Sequence, residues 1–171
     1  MNRCNLVSSS AVAVMGLALL PSGVIAQQGT LKQQLVGTWM LVSCEAPAGT
    51  TQQPFCANPS GSQSFDANGR YTQVIAARGR PKATAGPNGL LNRADIKPEE
   101  YKAVAQGVVA QFGTWSVNEA DKTLTRKTEG ALFPNAEGAE TKFSVSLSGD
   151  ELKFGTPNNP AAGGTVWRRA K

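Results

Sequence analysis

Alternation of apolar and polar residues over short segments is the main pattern of the chain from residue 37 onward. It is clearest at 143–147, where Phe, Val and Leu alternate with two serines. Alternation with a period of two is typical of a β-strand that buries one face. Links rich in Gly, Pro, Asn and Asp separate eight such segments. They are a first strand that starts after Gly37, and segments 61–65, 70–77, 112–117, 123–129, 142–148, 151–155 and 165–169.

Eight strands are enough to close a barrel around one small ligand. The pattern therefore predicts an all-β fold, an eight-stranded antiparallel up-and-down barrel with one inserted α-helix. The link Asp66-Ala67-Asn68-Gly69 is a hairpin signal, with Gly at the position that needs a positive φ. A first strand that includes Trp39, Leu41 and Ser43 on one face has Met40, Val42 and Cys44 on the other. Since both faces begin apolar, we expect one to face the lumen and the other to pack beneath a loop or helix.

Helical signals occur in two places. Thr30 can cap a short turn at 31–35. Pro98-Glu99-Glu100 suits the first turn of a longer helix, because Pro fits there and carboxylates favour the positive end of the helix dipole. Apolar residues then recur at helical spacing, so we expect this helix to pack one face on the protein; they are Tyr101, Val104, Ala105, Val108 and Phe112. The segment 78–97 has no periodicity, and we expect a flap over the open end of the barrel.

Trp39 follows Gly37-Thr38 at the start of the first strand, and Arg168-Arg169 ends the last strand. We expect the indole to plug one end of the barrel. One of Arg168 and Arg169 should stack on the ring while the other faces solvent.

The first 26 residues have the layout of an export signal. Arg3 precedes an apolar run at 11–20, and Val24-Ile25-Ala26 precedes Gln27 as a cleavage site. That run is about half of the ~20 residues that a membrane span needs. Cys4 precedes the run and is badly placed to carry a lipid. We therefore expect cleavage after Ala26, and a single domain at 27–171 that is periplasmic or secreted and has no membrane span.

The two remaining cysteines, Cys44 and Cys56, would meet an oxidising compartment, so we expect a disulfide, with two unpaired buried thiols as the alternative. The chain has no histidine. This excludes Ser-His-Asp and Cys-His nucleophiles and His-ligated zinc. We expect neither a metal site nor a cofactor.

Charge gives little reason to expect a nucleic-acid partner. The formal net charge is +5, one unit of which is Arg3 in the expected signal segment. Basic residues are scattered, whereas nucleic-acid binders cluster them on one face. The one dense stretch, at 78–82, is better interpreted as a solvated loop.

An ordered set of short motifs resembles the bacterial and fungal lipocalin-like domain family over nearly all of 27–171. The motifs are Leu35-Val36-Gly37-Thr38-Trp39-Met40-Leu41-Val42-Ser43, Phe65-Asp66-Ala67-Asn68-Gly69-Arg70-Tyr71, Phe112-Gly113-Thr114-Trp115-Ser116-Val117, Glu129-Gly130-Ala131-Leu132-Phe133-Pro134-Asn135, Leu147-Ser148-Gly149-Asp150-Glu151-Leu152 and Trp167-Arg168. The resemblance implies a calycin-type barrel and a small apolar or amphipathic ligand, without a defined activity. Arg126-Lys127 stands where the family often has a His pair, so imidazole chemistry cannot be carried over.

Ligand binding in the lumen is the first functional hypothesis. If Leu124 faces the lumen, strict alternation turns Arg126 inward, which would favour an anionic ligand. If the register is shifted, Arg126 faces water. As single residues, the aromatic candidates also fit a plain core. The candidate ligand-binding residues are Tyr71, Ile75, Trp115, Arg126, Phe143 and Val145.

Two other hypotheses stay open. The barrel could be an isomerase or cyclase without a cofactor, for which Glu129 is the best candidate acid or base. A raised pKa of Glu129 in a closed pocket would support that hypothesis. The barrel could also bind a protein, as an inhibitor of cell-wall hydrolases would. The chain is expected to be a monomer.

Overall fold

The computed structural model describes residues 29–46, 49–84, 96–156 and 164–171. The helices in these ranges are α1 (Leu31–Leu35) and α2 (Pro98–Gln106), and single 3-10 turns lie at Pro54–Cys56 and Pro134–Ala136. The strands are β1 (Gly37–Glu45), β2 (Pro59–Phe65), β3 (Arg70–Ala77), β4 (Val108–Asn118), β5 (Thr123–Ala131), β6 (Glu140–Ser148), β7 (Glu151–Gly155) and β8 (Gly164–Arg169). The expected signal segment and residues 85–95 of the expected flap lie outside the described residues.

Each strand pairs antiparallel with the next, and β1 also pairs with β8. The sheet therefore closes into an eight-stranded up-and-down barrel, which confirms the predicted fold class. The hairpin between β2 and β3 is also as predicted: Gly69 has a φ of +85°. The Asp66 carboxylate accepts a hydrogen bond from the backbone N–H of Arg70 at 2.7 Å, which holds this turn.

Large side chains fill the end of the barrel at which β1 begins and β8 ends. The indole of Trp39 is completely buried there and donates from Nε1 to the carbonyl oxygen of Leu35, at 2.9 Å. Helix α1 covers this end, and Leu35 is its buried residue. The other buried residues at this end are Phe65, Tyr71, Trp115, Leu124, Leu152 and Trp167. This end is consequently closed by packing.

Arg169 stacks on Trp39 and also donates hydrogen bonds to the carbonyl oxygens of Gln34 and Val36. Arg168, the next residue along β8, is exposed. The prediction that one of these arginines stacks on Trp39 and the other faces solvent is confirmed. A second tie holds α1 in place, because the Glu119 carboxylate accepts from its first two backbone N–H groups.

A β-bulge in β1 changes which residues face the lumen. Leu41 pairs with Trp167 and Ser43 with Val166, so Val42 is the extra residue. Beyond a bulge the alternation of faces is reversed. Cys44 therefore lies opposite Thr165, which lines the lumen. The expectation that Cys44 shares a face with Met40 and Val42 was wrong, because alternation alone does not reveal a bulge.

The outer face of β1 differs from the prediction in a second way. Met40 and Val42 are 48% and 49% exposed, so no loop or helix among the described residues covers them. Helix α1 lies over the closed end of the barrel, and the connection after β1 returns to the open end. Neither α1 nor the described part of that connection covers Met40 or Val42.

Helix α2 is shorter than the periodicity predicted. It ends at Gln106, and Val108 and Phe112 belong to β4, where they pair with Ala76 and Thr72 of β3. The hydrogen bonds of the ladder outweigh the helical spacing of the apolar residues there. No residue of α2 is fully buried, but Val104 and Ala105 of its predicted apolar face are half-buried and the helix contacts β4, so this face packs on the protein only in part.

Cys44 and Cys56 form the predicted disulfide. It joins the end of β1 to the 3-10 turn at Pro54–Cys56. The side chain of Gln52 adds to this staple, because its Oε1 accepts from the backbone N–H of Ala46 and its Nε2 donates to the carbonyl oxygen of Cys44. None of the helices in the described ranges is long and apolar enough to cross a membrane.

Candidate ligand-binding site

A cavity of about 370 Å³ occupies the end of the barrel opposite Trp39. Volumes of 300–1,000 Å³ are typical of small-molecule sites. The 3-10 turn that carries Phe55 forms part of the rim, and inward residues of β3 to β8 form the wall. The main side chains of the lining are Phe55, Ile75, Val109, Arg126, Phe143 and Phe154.

Arg126 is the one arginine that lines this cavity among the described residues, and it is 5% exposed. Leu124, two residues earlier on β5, is fully buried. The structure therefore has the register that turns Arg126 into the lumen. The guanidinium carbon lies 4.2 Å from the centre of the Phe143 ring, 5.3 Å from that of Tyr71 and 5.9 Å from that of Phe154. Aromatic faces within about 6 Å attract a cation, and the effect is larger away from water.

The guanidinium is nevertheless short of hydrogen-bond acceptors. Its Nε and Nη1 atoms are buried and have no partner. Burial lowers the pKa of Arg126 to about 10, while the nearby Tyr71 acts in the opposite direction. The side chain is therefore still a cation at neutral pH. A buried charge of this kind is costly unless it is paired, and aromatic rings supply no lone pair in the plane of the N–H groups.

A row of glutamine amides runs across the neighbouring strands β2, β3 and β4, and its middle member, Gln73, lines the cavity with Arg126. Gln111 donates to Gln73 at 2.8 Å, and Gln73 donates to Gln63 at 3.4 Å. Gln63 is 1% exposed, and its Nε2 has no partner. The buried side-chain atoms without a partner in the described part of the chain are thus three donors, two on Arg126 and one on Gln63.

The cavity wall supplies no acidic side chain to these donors. Neither aspartate nor glutamate is among the described residues that line it. The hydroxyl of Tyr71 is already engaged with the hydroxyl of Thr128 at 3.1 Å. The site is therefore an apolar chamber with a fixed positive charge and an excess of donors, which suits a molecule with an anionic end and an apolar body.

The geometry of the barrel and a comparison with known families lead to the same assignment. Residues 36–169 match the family described as the lipocalin-like domain. The chain belongs to the lipocalin-like domain family. No curated protein matches the chain. A lipocalin-like barrel suggests ligand binding in general, and the residues of the lumen decide which chemistry a ligand could have.

The sequence-predicted site residues fall into three groups in the lipocalin-like barrel. Ile75, Arg126 and Phe143 line the cavity. Tyr71 lies deeper, with its ring against Arg126. Trp115 and Val145 are buried core residues outside the lining, and Trp115 packs edge-on against Phe65.

Sequence reasoning did not identify most of the other lining residues, among them Phe55, Gln73, Val109 and Phe154. Gln73 and Phe154 alternate with outward residues on β3 and β7, so strict alternation could have found them. Phe55 lies in a connection whose position depends on the disulfide. The signal that could have found it is the adjacent Cys56, because its predicted disulfide with Cys44 brings this connection back to the end of β1.

Glu129 does not reach the lumen of the lipocalin-like barrel. It is exposed and forms a bidentate pair with Arg70, with both oxygen–nitrogen distances at 2.7 Å. The hydrogen bonds from Arg70 lower the pKa of Glu129. A general acid in a closed pocket needs the opposite shift. The structure therefore counts against Glu129 as a catalytic residue in the cavity.

Apolar side chains also lie on the outer wall. Met40, Val74 and Leu132 are between 45% and 48% exposed, and Phe112 is 48% exposed. Met40 and Val74 both lie opposite Ser62, so they belong to one row across the sheet. Among the described residues, no three acidic, histidine or cysteine side chains are grouped as metal ligands would be.

Proposed function

We propose that the protein is an exported carrier that binds a small amphipathic acid in the barrel lumen. The acidic group would lie against Arg126, and the apolar body would lie against Ile75, Phe143 and Phe154. One observation carries this proposal. A guanidinium that is charged at neutral pH is buried among aromatic rings, and two of its N–H groups have no acceptor.

The energetics of Arg126 support a functional role. Replacing a buried charge with a hydrophobic side chain of similar volume often leaves the protein as stable as before or makes it more stable. Among the described residues that line the cavity, no carboxylate offsets the desolvation of the guanidinium. A ligand carboxylate would accept hydrogen bonds from the guanidinium, whose Nε and Nη1 groups now lack partners, so part of the unfavourable free energy of the empty site becomes binding energy.

The proposal includes export. Residues 1–26 would be removed as a signal peptide, and the mature chain would act in the periplasm or outside the cell. The disulfide between Cys44 and Cys56 supports this location, because such bonds persist in oxidising compartments. Determining the N-terminus of the protein recovered from the periplasm tests it: Gln27 is expected as the first residue, and an N-terminus at Met1 would contradict it.

Native mass spectrometry of the mature protein from a bacterial periplasm tests the carrier function. We expect a bound acid of constant mass, which can be extracted and identified. The Arg126→Met protein should lose this adduct, because the methionine side chain fills similar space without a charge. Arg168→Met is the matched control, since Arg168 is exposed on the same barrel, and it should retain the adduct.

Two outcomes would contradict the carrier function. One is an empty wild-type barrel that also fails to bind added alkyl and aryl carboxylates. The other is equal occupancy of the wild-type and Arg126→Met proteins, which would show that the guanidinium takes no part in binding.

A protein-binding role has one observation in its favour, the exposed apolar row on the outer wall. Analytical ultracentrifugation and cross-linking of the periplasmic protein would detect a partner there. Such a partner should be lost in a Met40→Lys, Val74→Lys protein that still binds its small ligand. A partner retained by that variant would exclude the outer wall as its binding surface.

A further inference from the structure

The charge and the dimensions of the cavity restrict the ligand further than the proposed function does. This inference rests on the proposed function, since it concerns the same site. It uses the number of cations in the wall, the volume of the cavity and the position of Phe55.

In the described part of the lining, Arg126 is the one buried cation. Lys142 also contributes to the lining, but it is exposed on β6, where water can solvate its ammonium. A second negative charge on the ligand would therefore be buried among Phe143, Phe154 and Ile75 without a buried cation to pair it. The wall suits one negative charge, which favours a carboxylate over a dianionic phosphate ester.

The volume limits the size of the apolar body. A cavity of about 370 Å³ holds roughly a dozen water-sized groups of about 30 Å³ each. Three non-hydrogen atoms of that number belong to the carboxylate. About eight to ten remain for the apolar body.

Phe55 lies at the rim of the cavity, whereas Arg126 lies deeper, because it pairs with the core residue Trp115 of β4. The 3-10 turn Pro54–Cys56 packs against β3 and β4, and Phe55 lines the cavity together with Ile75 and Val109. Arg126 lies on β5 and is surrounded by rings from β6 and β7. The disulfide fixes the turn to β1, so the ring cannot withdraw from the rim without a rearrangement of the turn.

We infer that the lumen selects acids that carry a single carboxylate and an apolar body of about eight to ten carbon atoms, and that Phe55 sets the upper limit of that length. Arg126 binds the carboxylate end of the ligand, and the ring of Phe55 contacts the far end of the apolar body. Phe55 is in this sense a specificity-determining residue.

Isothermal titration with straight-chain carboxylates from six to sixteen carbons tests the inference, with each acid kept below its micelle concentration. We expect affinity to rise to acids of about nine to eleven carbons in total, whose apolar body has eight to ten carbons, and to fall at least tenfold by fourteen. The alcohol and the phosphate ester of the best length should each bind at least tenfold more weakly than the acid. In Phe55→Ala the optimum should move to chains longer by two or three carbons.

Phe133→Ala is the matched control, because Phe133 is exposed outside the lumen, and it should keep the wild-type optimum. Phe55→Leu, which retains most of the apolar volume, serves if Phe55→Ala is poorly folded, and it should shift the optimum by a smaller amount. Circular dichroism melting establishes that each variant is folded.

The outcomes separate the two proposals. Affinity that keeps rising to sixteen carbons, or an unchanged optimum in folded Phe55 variants, overturns the length limit and leaves the carrier function standing. A phosphate ester that binds as tightly as the acid overturns the selection for a single charge. An absence of binding at every chain length overturns the carrier function and this inference together.

Discussion

The guanidinium carbon of Arg169, near the C-terminus, lies 4.2 Å from the centre of the Trp39 ring at the start of the first strand. The contact joins β1 to β8, the pair of strands that closes the barrel. The same guanidinium donates to the carbonyl oxygen of Val36 at 3.1 Å. It thus ties helix α1, the first strand and the last strand together at the closed end.

Removal of the Trp39 ring should strongly destabilise the barrel. We predict that Trp39→Ala lowers the free energy of unfolding by about 3–5 kcal/mol, because it leaves a large cavity in a packed core. Urea unfolding of the wild-type and variant proteins measures this loss. A loss below about 1 kcal/mol would show that other side chains close the barrel.

Arg169→Ala should also destabilise the barrel, whereas Arg168→Ala should change stability by no more than about 0.5 kcal/mol, as is usual for exposed sites.

Replacement of Arg126 should have the opposite effect on stability. The folded-state pKa of Arg126, about 10, is below the ordinary value of an arginine, so burial penalises its charged form, and the penalty is complete at neutral pH. We predict that Arg126→Met raises the free energy of unfolding of the ligand-free protein by about 1–3 kcal/mol. Differential scanning calorimetry of the ligand-free wild-type and variant proteins measures the change. A loss of stability in Arg126→Met would show that the guanidinium is well paired in the empty barrel.

The disulfide should stabilise the fold and hold Phe55 at the rim. We predict that the Cys44→Ser, Cys56→Ser protein loses about 3 kcal/mol of stability, the value that the loop-entropy model gives for a short closed loop. Its ligand should also dissociate faster, because the turn that carries Phe55 is released. Urea unfolding and stopped-flow dissociation measure the two effects. Unchanged dissociation in the folded variant would mean that hydrogen bonds such as those of Gln52 hold the turn without the bond.

Glu129 should affect stability at neutral pH without affecting ligand binding. Its hydrogen bonds with Arg70 lower its pKa in the folded state, so its contribution is present above the unfolded value of about 4.3 and is lost as pH falls through the folded value. We predict that Glu129→Gln is slightly less stable than wild type at pH 7, and that the difference disappears in acid. Thermal melts across pH measure it. Ligand affinity should stay within twofold, and a tenfold loss would place Glu129 in the site after all.

The architecture could be predicted from the sequence because it depends on local patterns. Alternation placed β3 and β7 at the bounds that the structure has, and hairpin signals such as Gly69 fixed the links between strands. The partnership of Trp39 with a C-terminal arginine followed from the closure of the barrel. The strands and turns need only a few neighbouring residues, and the arginine contact needs only the pairing of the first and last strands.

The site depended on tertiary relationships that the alternation of residues does not reveal. The inward position of Arg126 followed only if Leu124 faced the lumen, and the pairing of β5 with its neighbours decided this. The bulge at Val42 is a shift of one residue against β8, which turned Cys44 inward. Phe55 reached the rim because the disulfide folds its loop back. Pairing register and a cross-link therefore decided the lumen, and neither is visible as periodicity.

The role of Arg126 can be observed most directly in a proton–nitrogen correlation spectrum of the arginine Nε–H groups, recorded while octanoate is added. The resonance of Arg126 is identified by its absence in Arg126→Met. We predict that it shifts downfield and saturates at one equivalent of acid, because a charge-assisted hydrogen bond to the carboxylate forms. Octanoate that binds without moving this resonance, or that does not bind at all, would contradict a carrier whose lumen recognises acids through Arg126.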